Sequence, residues 1–232
     1  MEAWVRFERL IGEPALRRLQ GSHVLVLGVG GVGGHCVDAL ARCGIGSFTL
    51  ADPDVVAPSN LNRQMVALHS TLGMPKVEVM RARIADINPN AKVRAVQGRF
   101  PACEDLFEPR PDCIVDAIDD VKAKIALAVW ASEHRVPMVS SMGAGNKLDP
   151  TRFEVADIFE TSVCPLCRAV RTRLRKTGVS SLRVVYSKEQ PILSTTKAEG
   201  PGSIVTVTAS AGLILANETV RALLHYEQSA NF

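Results

Sequence analysis

What this 232-residue chain lacks sorts it before any motif is read. No apolar run reaches membrane-spanning length, and the N-terminus, MEAWVRFERL, carries charges where a signal segment has an apolar core. A cytoplasmic protein is expected. Cysteine is sparse. Cys36, Cys43, Cys103, Cys113, Cys164 and Cys167 are scattered rather than spaced as a disulfide framework, which suits a reducing compartment. There is no internal repeat and no low-complexity segment. An excess of one charge is also missing. Lys and Arg number 27 against 24 Asp and Glu, and the resulting +3 is too small to assign a nucleic-acid partner from total charge. What is present is ordinary for a folded domain, with 47% hydrophobic and 22% charged residues.

The informative stretch is His23 to Asp52, HVLVLGVGGVGGHCVDALARCGIGSFTLAD. An apolar β run, His23 to Leu27, leads into a turn with Gly28, Gly30, Gly31, Gly33 and Gly34. A helical run follows, then a second apolar strand, Ser47 to Ala51, ending on Asp52. This is the order of a mononucleotide-binding βαβ unit. Gly28 allows the tight turn, Gly30 lets backbone approach a phosphate, and Gly33 lets helix and strand pack closely. The helix N-terminus offers free N–H donors and a partial positive charge. Asp52, 19 residues after Gly33, is placed to accept ribose hydroxyls.

Strands and helices alternate onward, which predicts a mostly parallel, Rossmann-like α/β sheet wrapped by helices. The periodicity gives a helix over Pro75–Ile87, with Val77, Met80, Ile84 and Ile87 on one face, stopped by Asn88-Pro89-Asn90. Strands are expected at Lys92–Val96, Cys113–Ile118 and Met138–Ser140, and a helix at Val121–His134. After residue 150 the pattern changes. Phe153–Ile158 and Leu182–Tyr186 read as strands flanking a basic helix; they need not join the parallel sheet, and an antiparallel extension is open to them. The second half of Ser203–His225 is helical, and Ala209, Ala211, Gly212 and Ala216 suit close packing on another helix or subunit. The organisation expected is one domain over 1–232. It has an N-terminal arm (1–22, with a short helix at Glu13–Leu19), a nucleotide-binding core (23–150) and a C-terminal α/β substrate or dimer region (151–232).

Oxidoreductases and ATP-using enzymes share such an opening unit, and the residues after it discriminate. The loop following Asp52 holds Asn60, Arg63 and Gln64, and Lys76 opens the next helix. Two permanent cations beside a nucleotide loop suit more negative charge than a pyrophosphate bridge carries. Asp119 ends a central strand, where ligands sit in such sheets and where a carboxylate can hold magnesium on a triphosphate. Bland alternatives stand beside these. Arg63 and Lys76 also fit as solvated charges, and Asp119 as a cap for the helix at Val121.

GVGGVG, Asp52, the SNLNRQ loop, Lys76 and DAID together resemble the ThiF/MoeB/HesA family, relatives of ubiquitin-activating enzymes. The resemblance implies a nucleotide-binding α/β fold, usually homodimeric, that adenylates a carboxylate with ATP. It implies that Gly28, Gly30, Gly31, Gly33 and Asp52 bind the nucleotide, that Asn60, Arg63, Gln64 and Lys76 surround the triphosphate, and that Asp119 binds magnesium. Arg9 matches an arginine that reaches into the partner subunit's site. The last third is similar to one branch, the tRNA threonylcarbamoyladenosine dehydratases, through TSxCPL, the basic helix, VVYSKEQP and PGSI…AGLI. That likeness implies tRNA as substrate and leaves a sulfur-transfer partner open.

Two features of that third also speak for themselves. Cys164-Pro-Leu-Cys167 has no second CxxC behind it, so two of the four ligands of a closed structural zinc site are missing and zinc is not expected. The pair remains compatible with packed thiols or a redox role. From Thr161 to Lys188 there are seven basic residues (Arg168, Arg171, Arg173, Arg175, Lys176, Arg183 and Lys188) and no acid, the electrostatic footprint of a polyanion or a solvated basic helix. Tyr186 is the single aromatic there, so base stacking is not expected from it. The five histidines form no cluster, and His35 and His69 read as structural. The expected activity is adenylation of the threonyl carboxylate of N6-threonylcarbamoyladenosine followed by ring closure. The alternatives are activation of a ubiquitin-like sulfur carrier's C-terminal glycine, NAD-dependent oxidation and non-catalytic nucleotide sensing. No motif supplies a hydride-transfer site.

Overall fold

The computed structural model describes residues 2–102, 104–192 and 200–225, so Cys103 lies outside the described residues. One sheet contains β1 (His23–Leu27), β2 (Ser47–Ala51), β3 (Lys92–Val96), β4 (Cys113–Asp116), β5 (Met138–Ser141), β6 (Phe153–Asp157) and β7 (Arg183–Ser187). Their spatial order is β3-β2-β1-β4-β5-β7-β6, and all neighbours are parallel except β6 and β7. The helices are α1 (Val5–Ile11), α2 (Glu13–Gly21), α3 (Gly33–Arg42), α4 (Lys76–Ile87), α5 (Val121–Glu133), α6 (Pro165–Leu174) and α7 (Val205–Leu223).

Central strands are buried on both faces, as a sheet covered by helices on both sides requires. Side-chain alternation sends β1 into two cores at once. Val24 and Val26 join α3, α4 and α7 residues such as Leu40, Met80 and Leu215. Leu25 and Leu27 join Leu127, Val170 and Leu174 from α5 and α6 on the other face. Each fully buried side chain of this size contributes roughly 1.5–3 kcal/mol.

The structure adds detail in three places. Strand β7 does join the parallel sheet, pairing Val139 with Arg183 and Ser140 with Val184. Its Val184 and Val185 are fully buried and fit an interior position, while half-exposed β6 forms the antiparallel edge. RFERLI is helical in α1, and Gly12 at φ 83° makes the break before α2. The C-terminal helix starts before the Ala-Gly run and spans 19 residues. The small residues there do meet a helix. A Cβ on Gly212 would lie 2.4 Å from Val32 O and 2.9 Å from His35 Cβ, so α7 rests on the start of α3. No described helix is long and apolar enough to cross a membrane.

Candidate functional site

Strand β1 has its sequence neighbour β2 on one side and β4 on the other, so the connections diverge between β1 and β4. A crevice opens at their carboxyl ends for that reason. It is a cleft of about 610 Å³ walled by the glycine turn, the loop after β2, the start of α4, the loop after β4, the Ser141–Gly145 loop and the first turns of α6 and α7.

The glycines divide by task. Gly28 has φ 89°, and a Cβ there would lie 2.7 Å from Ala117 O. A Cβ on Gly33 would fall 1.8 Å from Gly28 O, inside the backbone that closes the turn. Gly30 is different. Its nearest neighbour would be Gln64 Nε2 at 3.7 Å, an ordinary contact, so folding does not demand glycine there. The space beside it opens on the cleft.

Asp52 is buried, and its two carboxylate oxygens accept from the backbone N–H of Val29 (2.7 Å) and of Asp54 (2.9 Å). It thereby ties the glycine turn to the end of β2, and each oxygen retains a lone pair toward the cleft. Lys76 is also buried, and its Nζ donates to Asp54 Oδ2 at 2.8 Å. Arg63 Nη1 donates to Ser59 O and to Asn62 Oδ1, which fixes the guanidinium against the same wall. Asn60 uses its Oδ1 to accept from Ala57 N–H, leaving its side-chain amide N–H groups as donors. The buried Gln64 Oε1 has no partner among the described residues, an orphan that a ligand hydroxyl or ordered water would satisfy.

Asp119 is exposed on the cleft wall and makes no hydrogen bond or ion pair among the described residues. The helix cap belongs to Asp120, whose Oδ1 accepts from Ala123 N–H at 2.9 Å. That backbone bond, with Lys122 and Arg99 nearby, holds the Asp120 carboxyl below its usual range. Asp119 is therefore available to bind. No cluster of three or more His, Cys, Asp or Glu occurs among the described residues. The donor set fits an ion held by one carboxylate and by phosphate oxygens, the usual mode for magnesium on a nucleotide. Arg9 lies exposed on α1 and does not line the cleft of its own chain. His35 Nε2 pairs with Arg63 O at 3.2 Å, and His69 starts an exposed turn.

Sequence reasoning missed a polar knot behind the wall. Lys124 and Asp116 are fully buried and paired at 2.9 Å. Lys124 Nζ also donates to Ser140 Oγ and Ser141 O, and Ser140 Oγ donates to Asp116 Oδ2 at 2.5 Å. The other Asp116 oxygen accepts from Ile118 N–H. The knot clamps the ends of β4 and β5 and sets the loop carrying Asp119. A signal existed: Lys124 shares a helix face with Leu127, Ala128 and Ala131. Also unforeseen were Thr208 and Ser203 from the α7 end, and Arg99, all lining the cleft.

The basic stretch divides too. Arg171 Nη1 donates to Thr161 O (2.8 Å) and Thr161 Oγ1 (2.6 Å), Arg183 pairs with Glu218, and Lys188 with Glu154. Arg168, Arg173, Arg175 and Lys176 are exposed and unpaired among the described residues. Four cations, not seven, face outward on α6 and its end.

A crevice at the switch point of a parallel sheet, with an uncrowded Gly30 at its floor and cations along one wall, defines a nucleotide-binding α/β protein. The chain belongs to the ThiF family, whose model matches residues 5–232. It is 42% identical over 94% of its length to the Bacillus subtilis tRNA threonylcarbamoyladenosine dehydratase, 93% of which is covered. The solved structure of the Escherichia coli tRNA N6-threonylcarbamoyladenosine dehydratase in complex with ATP matches with a TM-score of 0.88 at 32% identity, covering 99% of this chain and 97% of that one. The molybdopterin-synthase adenylyltransferase of Salmonella typhimurium is more distant, at 29% identity over 92% of this chain and 77% of its own length.

Proposed function

We propose that this protein is an ATP-dependent tRNA threonylcarbamoyladenosine dehydratase. The observation that carries the reading is the convergence of the Gly30 gap, Arg63, Lys76 and Asp119 on one cleft, in a chain alike end to end to such enzymes. The triphosphate lies along the glycine turn, its phosphates facing the N–H groups at the start of α3. Asp52 takes the ribose, and Asn60 and Gln64 the adjoining phosphates or ribose.

The threonyl carboxylate of the modified adenosine attacks the α-phosphate. Pyrophosphate leaves and an acyl adenylate forms. Charge grows on the phosphate oxygens in that step, and Arg63 and Lys76 oppose it from fixed positions. Lys76 is already desolvated, so its charge acts through a low-dielectric wall, and Asp54 shares it until phosphate arrives. Magnesium held by Asp119 and the phosphates would supply further charge neutralisation. A nitrogen or oxygen of the same modification then displaces AMP and closes a ring, with net loss of water from the nucleoside. Tethering provides the effective concentration, so no enzyme nucleophile is needed. The exposed cations of α6 hold tRNA phosphates. A homodimer would bring the exposed Arg9 to its partner's cleft, and the cytoplasm is the setting.

The test is incubation of the purified protein with ATP, magnesium and tRNA bearing the modification, followed by nucleoside mass spectrometry. Loss of water from the nucleoside with AMP release is expected. Pyrophosphate exchange driven by a ubiquitin-like carrier protein but not by tRNA would overturn the reading in favour of the adenylyltransferase alternative.

A further inference from the structure

Helix α6 begins at Pro165 with Cys164 as its N-cap residue and Cys167 one turn on. Residues three apart within a helix have Cβ atoms about 5–6 Å apart, wider than the about 3.5–4.5 Å that a disulfide spans. Cys164, however, is extended at φ -66° and ψ 122° rather than helical, and its sulfur interacts with that of Cys167. Both cysteines sit in the same core cluster, 3% and 0% exposed. The approach to the pair is unusual. Val163, a β-branched residue, has φ 62°, and the N–H of Cys164 donates to Ser162 O at 2.6 Å. That is the strained form of γ-turn, and it swings Cys164 onto the helix end. There its sulfur lies 3.7 Å from where a Cβ on Gly143 would be. Gly143 and Leu166 line the nucleotide cleft, so the thiols sit directly behind its wall.

The surroundings set the two sulfurs apart. The Cys167 thiol, the N–H groups of Cys167 and Gly143 and the buried Lys147 oppose the cost of burial and hold the Cys164 thiol well below its usual range. Cys167 is pushed the other way, because it gives its hydrogen to that thiolate and is desolvated. Cys36 and Cys113, buried in apolar surroundings, are raised by desolvation, and so is Cys43. Only one described cysteine therefore has both an activated sulfur and a second thiol within reach.

We propose that Cys164 and Cys167 form a redox-modifiable dithiol behind the nucleotide cleft, which a peroxide converts to a disulfide felt by the Ser141–Lys147 loop. The Cys164 thiolate attacks one oxygen of hydrogen peroxide. The O–O bond breaks, hydroxide leaves and takes a proton to become water, and a sulfenic acid remains. Cys167, giving its proton to the departing hydroxide, attacks the Cys164 sulfur, and a second water leaves. Two thiols and one peroxide give one disulfide and two waters, and two electrons pass from sulfur to oxygen. Oxidation removes the negative charge that faces Gly143 N–H and Lys147. Lys147 keeps its bond to Gly143 O at 2.7 Å, but the loop loses an anionic anchor.

The test treats the reduced, full-length protein with hydrogen peroxide and maps thiols by peptide mass spectrometry, with amide exchange followed over residues 141–147. The peptide holding Cys164 and Cys167 is expected to lose two hydrogens, reversibly with dithiothreitol, at least about tenfold faster than Cys43 reacts. Exchange over 141–147 should rise about fivefold or more in the oxidised form. Cys167→Ser should halt at a sulfenic acid that dimedone traps on residue 164, and Cys164→Ser should leave Cys167 unreactive. Gain of oxygen without loss of two hydrogens, reaction of Cys167 in Cys164→Ser, or unchanged loop exchange would overturn the proposal. These readouts need no turnover, so they stand or fall separately from the dehydratase assay.

Discussion

Two lysines of this chain are almost equally buried and sit in opposite settings. Lys76 reaches the cleft edge and pairs with Asp54, a carboxylate more than half exposed. Lys124 pairs with Asp116 where water is fully excluded from both. The first pair has a partner that solvent can take over, so the lysine can turn to a phosphate. The second has nowhere to go, because its three donor positions are filled by Asp116, Ser140 and Ser141. Burial alone does not separate a cation that a ligand could reach from one locked into the structure; the exposure of its partner does.

The sharpest way to test that contrast is to remove each charge. Lys124→Met should cost about 3–5 kcal/mol, because Asp116 is left buried without its partner. Denaturant unfolding measures it, and a cost near zero would show that the pair does not hold the fold together. Lys76→Ala should leave the unfolding midpoint nearly unchanged while adenylation, read as AMP formation, falls about 10²–10³-fold. Asp119→Ala should fall by a similar factor, with the loss shifted by magnesium concentration if the carboxylate holds the ion.

The glycine turn gives a middle-sized pair. Gly33→Ala should destabilise by about 1–3 kcal/mol, since its Cβ would meet fixed backbone 1.8 Å away. Gly30→Ala should fold normally and lose ATP affinity, which calorimetry separates from stability. Smaller still is the surface contrast. Replacing Arg173 or Arg175 by Ala should lower the slope of log tRNA affinity against log salt by about one each, whereas Arg171→Ala should change stability and leave that slope alone. Least of all is a pH effect. Burial holds His23 below its usual pKa, so the unfolded chain gains a proton first as pH falls through about 6.5, and stability declines toward acid. His23→Gln should flatten that limb of a melting-temperature profile.

The nucleotide half was legible because its signals are local. Gly28, Gly33 and Asp52 lie within one βαβ unit; backbone sterics dictate the two glycines, and the Val29 and Asp54 N–H groups call for an acceptor at 52. Legibility failed where pairing is remote. Nothing near Arg171 announces that its guanidinium will bind the carbonyl of Thr161, and nothing near Asp120 says that it, rather than Asp119, will cap α5. Strand β7 looked like an appendage because its chain neighbours are a basic helix and a loop. Its place beside β5 is decided by what Val184 and Val185 bury, which only the assembled sheet reveals.

Helix α7 has a temporal meaning. Gly212 lets it press against Val32 and His35, and Thr208 backs the wall beside Gly31, so the glycine turn made near residue 30 leans on a helix made after residue 204. During synthesis the nucleotide fingerprint leaves the ribosome early, yet its support arrives only when all seven strands have been translated. A nascent polypeptide halted before α7 holds every residue of the motif and lacks the brace that keeps it shaped for a phosphate.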